Sequence, residues 1–232
     1  MHISRRLAFA CLLLLQSTVA FAEGAPYLTA ADLDLKVMLP PPPATESVLG
    51  KADVEAAIAI QKAASPERIA LARHDVDETV YAIFGDLLGS EVSASATPLT
   101  DKLFARIGTS EDEVVDPVKP YFGRVRPYLA HSDRIEALVK ASKSGSYPSG
   151  HTTRATVEGI ILGVMIPEKR GAIWRRVAEY AESRVVGGMH YPGDLAAGRQ
   201  AGVAIAATLL ARPSFVADMD AATKELRAAL RL

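Results

Sequence analysis

Cysteine is almost missing from this sequence: Cys11 is the only one in 232 residues. It lies in an opening stretch that reads as an export leader. Arg5 and Arg6 form the charged start, Leu7 through Leu15 the short apolar core, and Ala20-Phe21-Ala22 a small-residue cleavage site. Removal of 1–22 leaves no thiol, which excludes disulfides and cysteine chemistry from the rest of the chain. A basic excess is missing too. The 26 Lys and Arg against 27 Asp and Glu give a net charge of −1, and loss of Arg5 and Arg6 leaves 24 against 27, or −3. That balance offers nucleic-acid binding no general support. Beyond the leader there are no long apolar runs. Residues 155–166 and 201–211 are the best candidates, and both fall short of the ~18 residues of a spanning helix. The expectation is a periplasmic or secreted protein with no membrane span. Aromatic residues make up only 6%, and alternating β-branched runs are scarce. Alanine and leucine dominate instead, which points to an all-α, single-domain helical bundle.

The expected order is a leader over 1–22, an extended Pro-rich lead-in over 23–47 and a helical domain over 48–232. Leu39 followed by Pro40 through Pro43 cannot be helix interior and reads as a surface strap or linker. Helices are predicted over 48–63, from Ser65-Pro66-Glu67 onward, and from Asp77 to Leu88 with Gly89 closing. A short helix capped by Thr100 should end near Gly108, and a Ser110/Glu113 capping box should open another. Further helices are predicted over 132–142, 152–165, 168–186, 194–211 and 214–230.

One motif is set aside. Asp75-Val76-Asp77-Glu78-Thr79 matches the D-x-D-x-T pattern of the haloacid dehalogenase phosphatases, where the first aspartate is the nucleophile and Mg²⁺ is needed. That motif requires a preceding buried strand, and Glu67 to His74 is charged with a helical period. The segment reads as a helix start with acidic residues in its first turn.

Three other segments carry chemistry. Lys119 and Arg126 flank Pro120 to Val125, with Pro127 holding Arg126 in extended or terminal backbone. Pro148-Ser149-Gly150-His151 puts a histidine at the start of an apolar helix, where free amides favour anions and small residues allow close approach. Ser183-Arg184, Gly187-Gly188, His190 and Asp194 put a histidine on a loop near a carboxylate, which can fix its tautomer and leave the other nitrogen nucleophilic. Each alone is ordinary surface or capping chemistry. Together, two histidines, a carboxylate, three cations and a helix start suit phosphoryl transfer without a metal.

K-x6-R-P, P-S-G-H and S-R-x5-H-x3-D, in this order, resemble the signature shared by type 2 phosphatidic acid phosphatases, bacterial class A non-specific acid phosphatases and vanadium haloperoxidases. The string Gly145 to Thr152, the Pro40–Pro43 run and the leader most resemble the class A acid phosphatases. The resemblance implies that His190 is the nucleophile forming a phosphohistidine, Asp194 its holder, and His151 the general acid. It implies Lys119, Arg126, Ser149, Gly150 and Arg184 as phosphate ligands. It implies no metal or cofactor, vanadate as an inhibitor, phosphate or sulfate as occupants of the site, a small-molecule phosphomonoester as substrate, and room for a homo-oligomer. His74 and His131 read as surface or packing residues, with His131 the nearer to the site.

The leading expectation is an exported acid phosphatase of broad specificity. Two alternatives use the same residues, a vanadium-dependent haloperoxidase and a soluble lipid phosphatase. A non-catalytic phosphate-binding protein would need only the cations and amides, so His151, His190 and Asp194 favour an enzyme.

Overall fold

Hydroxyl caps set many of the helix boundaries. Ser47, Ser65, Thr79 and Ser149 each accept a hydrogen bond from an amide in the helix's first turn. The structure, a computed structural model, describes residues 25–232; the leader read in 1–22 lies outside the described residues. Eleven α-helices follow in order: α1 Leu35–Met38, α2 Val48–Ala63, α3 Pro66–His74, α4 Val80–Leu88, α5 Pro98–Val115, α6 Lys119–Phe122, α7 Pro127–Ala130, α8 Gly150–Met165, α9 Arg170–Val186, α10 Pro192–Leu210 and α11 Pro213–Leu230. Among the described residues there is no strand, so the fold is all-α, as the composition predicts.

α8 is the axis of the bundle. Twelve of its sixteen residues are buried, the mark of a helix covered on all sides. α10 lies along one flank and α9 along another, with α5 and α4 completing the wall. The α8–α10 approach depends on small residues. A Cβ on Gly202 would stand 2.6 Å from Thr156 Cβ, and one on Gly198 would stand 2.7 Å from the Ser149 carbonyl. No single helix among the described residues is long and apolar enough to cross a membrane.

Four expectations are corrected. Residues 132–142 form no helix. Their amides are used elsewhere: Leu138 N–H donates to the Gly187 carbonyl and Glu136 N–H to Gln61 Oε1. Gly108 does not end a helix, and α5 runs unbroken from Pro98 to Val115. The glycine makes room for Arg154, whose Nη1 lies 2.6 Å from where a Cβ would be. Ser110 is therefore no cap; its hydroxyl donates to the Arg106 carbonyl and accepts from Tyr27 N–H. α4 begins at Val80, so Asp75, Asp77 and Glu78 precede it rather than fill its first turn. The lead-in lies against the bundle as a strap: Leu28 and Leu35 are fully buried, and the Pro40 carbonyl accepts the Tyr147 hydroxyl at 2.6 Å.

Candidate active site

The three motif segments converge on one cavity of about 690 Å³, lined by Lys119, Arg126, Gly150, His151, Arg184 and His190 with Glu78, Glu111, Asp112, Asp116 and the 142–145 loop. Arg126 is the N-cap of α7 in extended backbone, as a residue before proline should be. Lys119 opens α6, Arg184 lies in the last turn of α9, and His190 follows on the loop into α10. Ser149 N–H donates to the Asp194 carbonyl at 3.1 Å, which locks the start of α8 to the start of α10.

His190 is buried, and its tautomer follows from its neighbours. Nδ1 faces two acceptors, the Ser146 carbonyl at 2.7 Å and Asp194 Oδ2 at 3.5 Å. Nε2 faces a donor, Arg126 Nη1, at 3.1 Å. The proton therefore sits on Nδ1 and the lone pair on Nε2. Burial, then the charges of Arg126, Arg184 and His151, push the His190 pKa well below its usual value. These influences all favour the neutral ring.

Asp194 is less single-minded than the motif suggests. Its Oδ2 accepts the Tyr191 amide at 2.9 Å, closing a capping box at the start of α10, and its Oδ1 takes Arg124 at 2.6 Å. Arg124 in turn reaches Asp53 at 2.6 Å. The nearer partner of His190 Nδ1 is the Ser146 carbonyl. Burial pushes the Asp194 carboxyl up to about 6 against the pull of Arg124.

His151 Nδ1 stands 2.9 Å from Glu78 Oε1, and the ring stacks on Tyr180. Its Nε2 is buried without a partner. Burial and Arg184 lower the His151 pKa, with Glu78 opposing. Burial would raise Glu78, but the His151 contact and the charges of Arg154 and Arg184 outweigh it and hold the carboxyl down at about 2.

The cations have uneven coverage. Arg184 Nη1 donates to the Asp75 carbonyl at 3.0 Å, while its Nε is buried and unpaired. Arg126 is fixed by the carbonyls of Ser144, Gly145 and Met189, none of them charged. Burial lowers the pKa of both guanidiniums, and Arg184 adds to the effect on Arg126. Uncompensated buried positive charge beside unpaired donors is a seat for an anion. Lys119 is paired with Asp116 at 2.6 Å. Ser149 is fully buried behind the wall rather than on it; its oxygen accepts the Thr152 amide and hydroxyl, leaving its own O–H to donate.

Glu78, Arg124, Glu111 and the Ser146 carbonyl were not singled out from the sequence. The set-aside acidic motif proves to brace the site. Asp75, buried, pairs with Arg176 at 2.6 Å, accepts the Ser183 hydroxyl at 2.6 Å, and offers its carbonyl to Arg184. His131 does not line the cavity, and packs its ring edge-on to Tyr191.

A model of the PAP2 superfamily matches residues 105–217. A non-specific acid phosphatase of Salmonella typhimurium is 31% identical over 81% of this chain and 78% of that protein. One from Salmonella typhi is 29% identical over 96% and 92%. The crystal structure of a transmembrane PAP2 type phosphatidylglycerolphosphate phosphatase from Bacillus subtilis overlays with a TM-score of 0.48 at 19% identity, covering 76% of this chain and 89% of that one.

Proposed function

We propose, from the premise that this chain belongs to the PAP2 superfamily as a class A non-specific acid phosphatase, that it is exported and hydrolyses phosphomonoesters of many alcohols through a phosphohistidine at His190. The observation that carries this reading is the His190 tautomer: an Nε2 lone pair beside Arg126 in a cavity shared with Arg184 and the first turn of α8.

In the first step His190 Nε2 forms a bond to phosphorus while the bond to the alcohol oxygen breaks. Protonated His151, its Nδ1–H held by Glu78, gives the Nε2 proton to that oxygen. Arg126 must release His190 Nε2 for the attack, and a phosphate oxygen replaces it as acceptor. Arg126, Arg184, Lys119 and the amides at Gly150 hold the equatorial oxygens, where charge accumulates. In the second step water attacks phosphorus, His151 takes its proton, and the P–N bond breaks to release inorganic phosphate. The nucleophile must be neutral and the acid charged. Both histidines are lowered from their ordinary value, so a protonated His151 calls for acid, which supports activity in the acid range.

Broad specificity is supported by the residues that line the cavity, most of them charged or titratable side chains suited to a phosphoryl group. Export is supported by the leader pattern in 1–22.

The test is hydrolysis of an aryl phosphate across pH, with EDTA, with vanadate, and in His190→Ala. The expected result is acid-range activity that survives EDTA, falls with vanadate and drops at least ~10³-fold in the variant. Alkaline quenching should trap phosphate on the wild-type protein but not on His190→Ala. Activity abolished by EDTA and kept by the variant would move the chemistry away from His190.

A further inference from the structure

The cavity that holds the phosphate-binding cations also holds a buried carboxyl that no step above uses. Glu111, on α5, lines the cavity and is almost fully buried. Its Oε2 receives Arg154 Nε at 3.1 Å and Nη2 at 2.9 Å. That guanidinium is itself fixed, by the Gly108 carbonyl at 2.8 Å and Asp112 Oδ1 at 3.0 Å. Glu111 is thereby held in one orientation. Its Oε1 lies 3.6 Å from where a Cβ on Gly150 would be, and Lys119 Nζ lies 3.4 Å from the same point. The carboxyl and the ammonium therefore flank the first residue of α8, whose free amides form the anion seat. Oε1 makes no hydrogen bond among the described residues.

We infer that Glu111 is a ligand of the bound phosphoryl group in its protonated form, donating an O–H hydrogen bond from Oε1, so that substrate binding requires a proton on this side chain. The inference rests on the phosphatase reading of the same cavity. An ionised carboxyl at this place would face a phosphate dianion and repel it; a protonated one adds a donor to the seat. The charges around it act in both directions. Arg154, the strongest of them, favours the ionised form, and so does Lys119, which is itself engaged by Asp116. Glu78 from the loop before α4, Asp112 from its own helix and Glu158 from α8 favour the proton. Burial is the largest influence and raises the carboxyl to about 8. Glu111 would lose its proton, and the site its affinity, as pH rises past neutrality.

Sulfate is the probe, because it stays a dianion across the range and is not turned over. In the wild-type protein, sulfate affinity should fall by up to about tenfold per pH unit above pH ~8. In Glu111→Gln, which donates but cannot ionise, it should stay flat to pH 9. The same slope in the variant as in wild type, with Arg184→Ala weakening sulfate in both, overturns the inference about Glu111 alone. Sulfate binding indifferent to Arg184→Ala overturns it together with the site reading. Loss of the Arg154 contact could unfold the variant, so a second measurement uses the wild-type protein only. Calorimetry at pH 8.5 in buffers of differing ionisation enthalpy should show more than half a proton taken up per sulfate, and an uptake of zero overturns the inference.

Discussion

Among the described residues His151 pairs with one carboxylate, Glu78, and its effect on the reaction has a definite sign. An ionised partner 2.9 Å from Nδ1 favours the imidazolium, against burial and Arg184, which both disfavour it. In Glu78→Gln the opposing influence is removed, so the His151 pKa falls further. The alkaline limb of the kcat profile should then move to lower pH, losing about tenfold in neutral solution for each unit of displacement. The acid limb, set by His190, should stay in place. Steady-state kinetics from pH 4 to 8 with an aryl phosphate checks this; an unmoved alkaline limb would remove Glu78 from the proton chemistry. This residue also marks the edge of what the sequence discloses. His151, His190, Arg126 and Arg184 are visible because short segments with fixed spacing carry them to helix ends. Glu78 reaches His151 across 73 positions, and nothing in its own neighbourhood points there. Local pattern made Asp75 to Thr79 look like a helix start, whereas Thr79 caps α4 and leaves Glu78 outside it, free to face the cavity.

At the scale of the element, the start of α8 is positioned by how closely α10 can approach. Gly202 and Gly198 are one helical turn apart on α10, and a methyl at either overpacks the contact with α8, at about 1–3 kcal/mol. The consequences should differ. Gly202→Ala presses mainly on Thr156, in the second turn of α8, and on the Thr153 carbonyl at 2.9 Å, and should lower Tm by roughly 2–4 °C per kcal/mol with the smaller change in kcat/KM. Gly198→Ala presses on the Ser149 carbonyl and Thr152, in the turn that carries His151, and should lose activity as well as stability. Equal kcat/KM in the two folded variants would show that the turn is not held by this contact. Helix order is readable because caps and apolar periods are local signals, as the agreement at Val48–Ala63 and at the Ser65-Pro66 opening of α3 shows. Gly108 reads as a helix end for a physical reason. A glycine that ends a helix and one that admits a guanidinium from another helix look alike until the other helix is in place. Residues 132–142 failed likewise, since Leu138 and Glu136 hydrogen-bond to partners far away in the chain.

Across the whole molecule, the buried titratable groups set a pH range for stability as well as for turnover. Glu111, raised to about 8, and Asp194, raised to about 6, hold their protons more tightly folded than unfolded. Each contributes stability that is complete below the ordinary carboxyl values near ~4 and is lost as pH rises through its folded value. His151 and His190 are depressed, so their contribution is complete above the ordinary histidine value of ~6.5 and is lost as pH falls. Glu78, depressed to about 2, adds stability above ~4.5 that is lost in stronger acid. Above pH ~6.5 only the raised carboxyls still change, and stability falls with pH. Below ~4.5 the histidines and Glu78 act together, and it falls again. Between those limits the two sets oppose each other. The Tm of the anion-free protein should therefore peak between about pH 4.5 and 6.5, and calorimetric scans from pH 3 to 9 will show whether it does. A Tm still rising from pH 6.5 to 8 would mean that Glu111 and Asp194 are ionised in the folded protein at ordinary values. Sulfate should raise Tm most at the acid end, because an anion that binds only the folded chain stabilises it in proportion to its affinity. The protonated carboxyls that favour the fold in mild acid would then favour the substrate there too, while the charge on His151, which costs the free fold stability, would be offset by the bound anion.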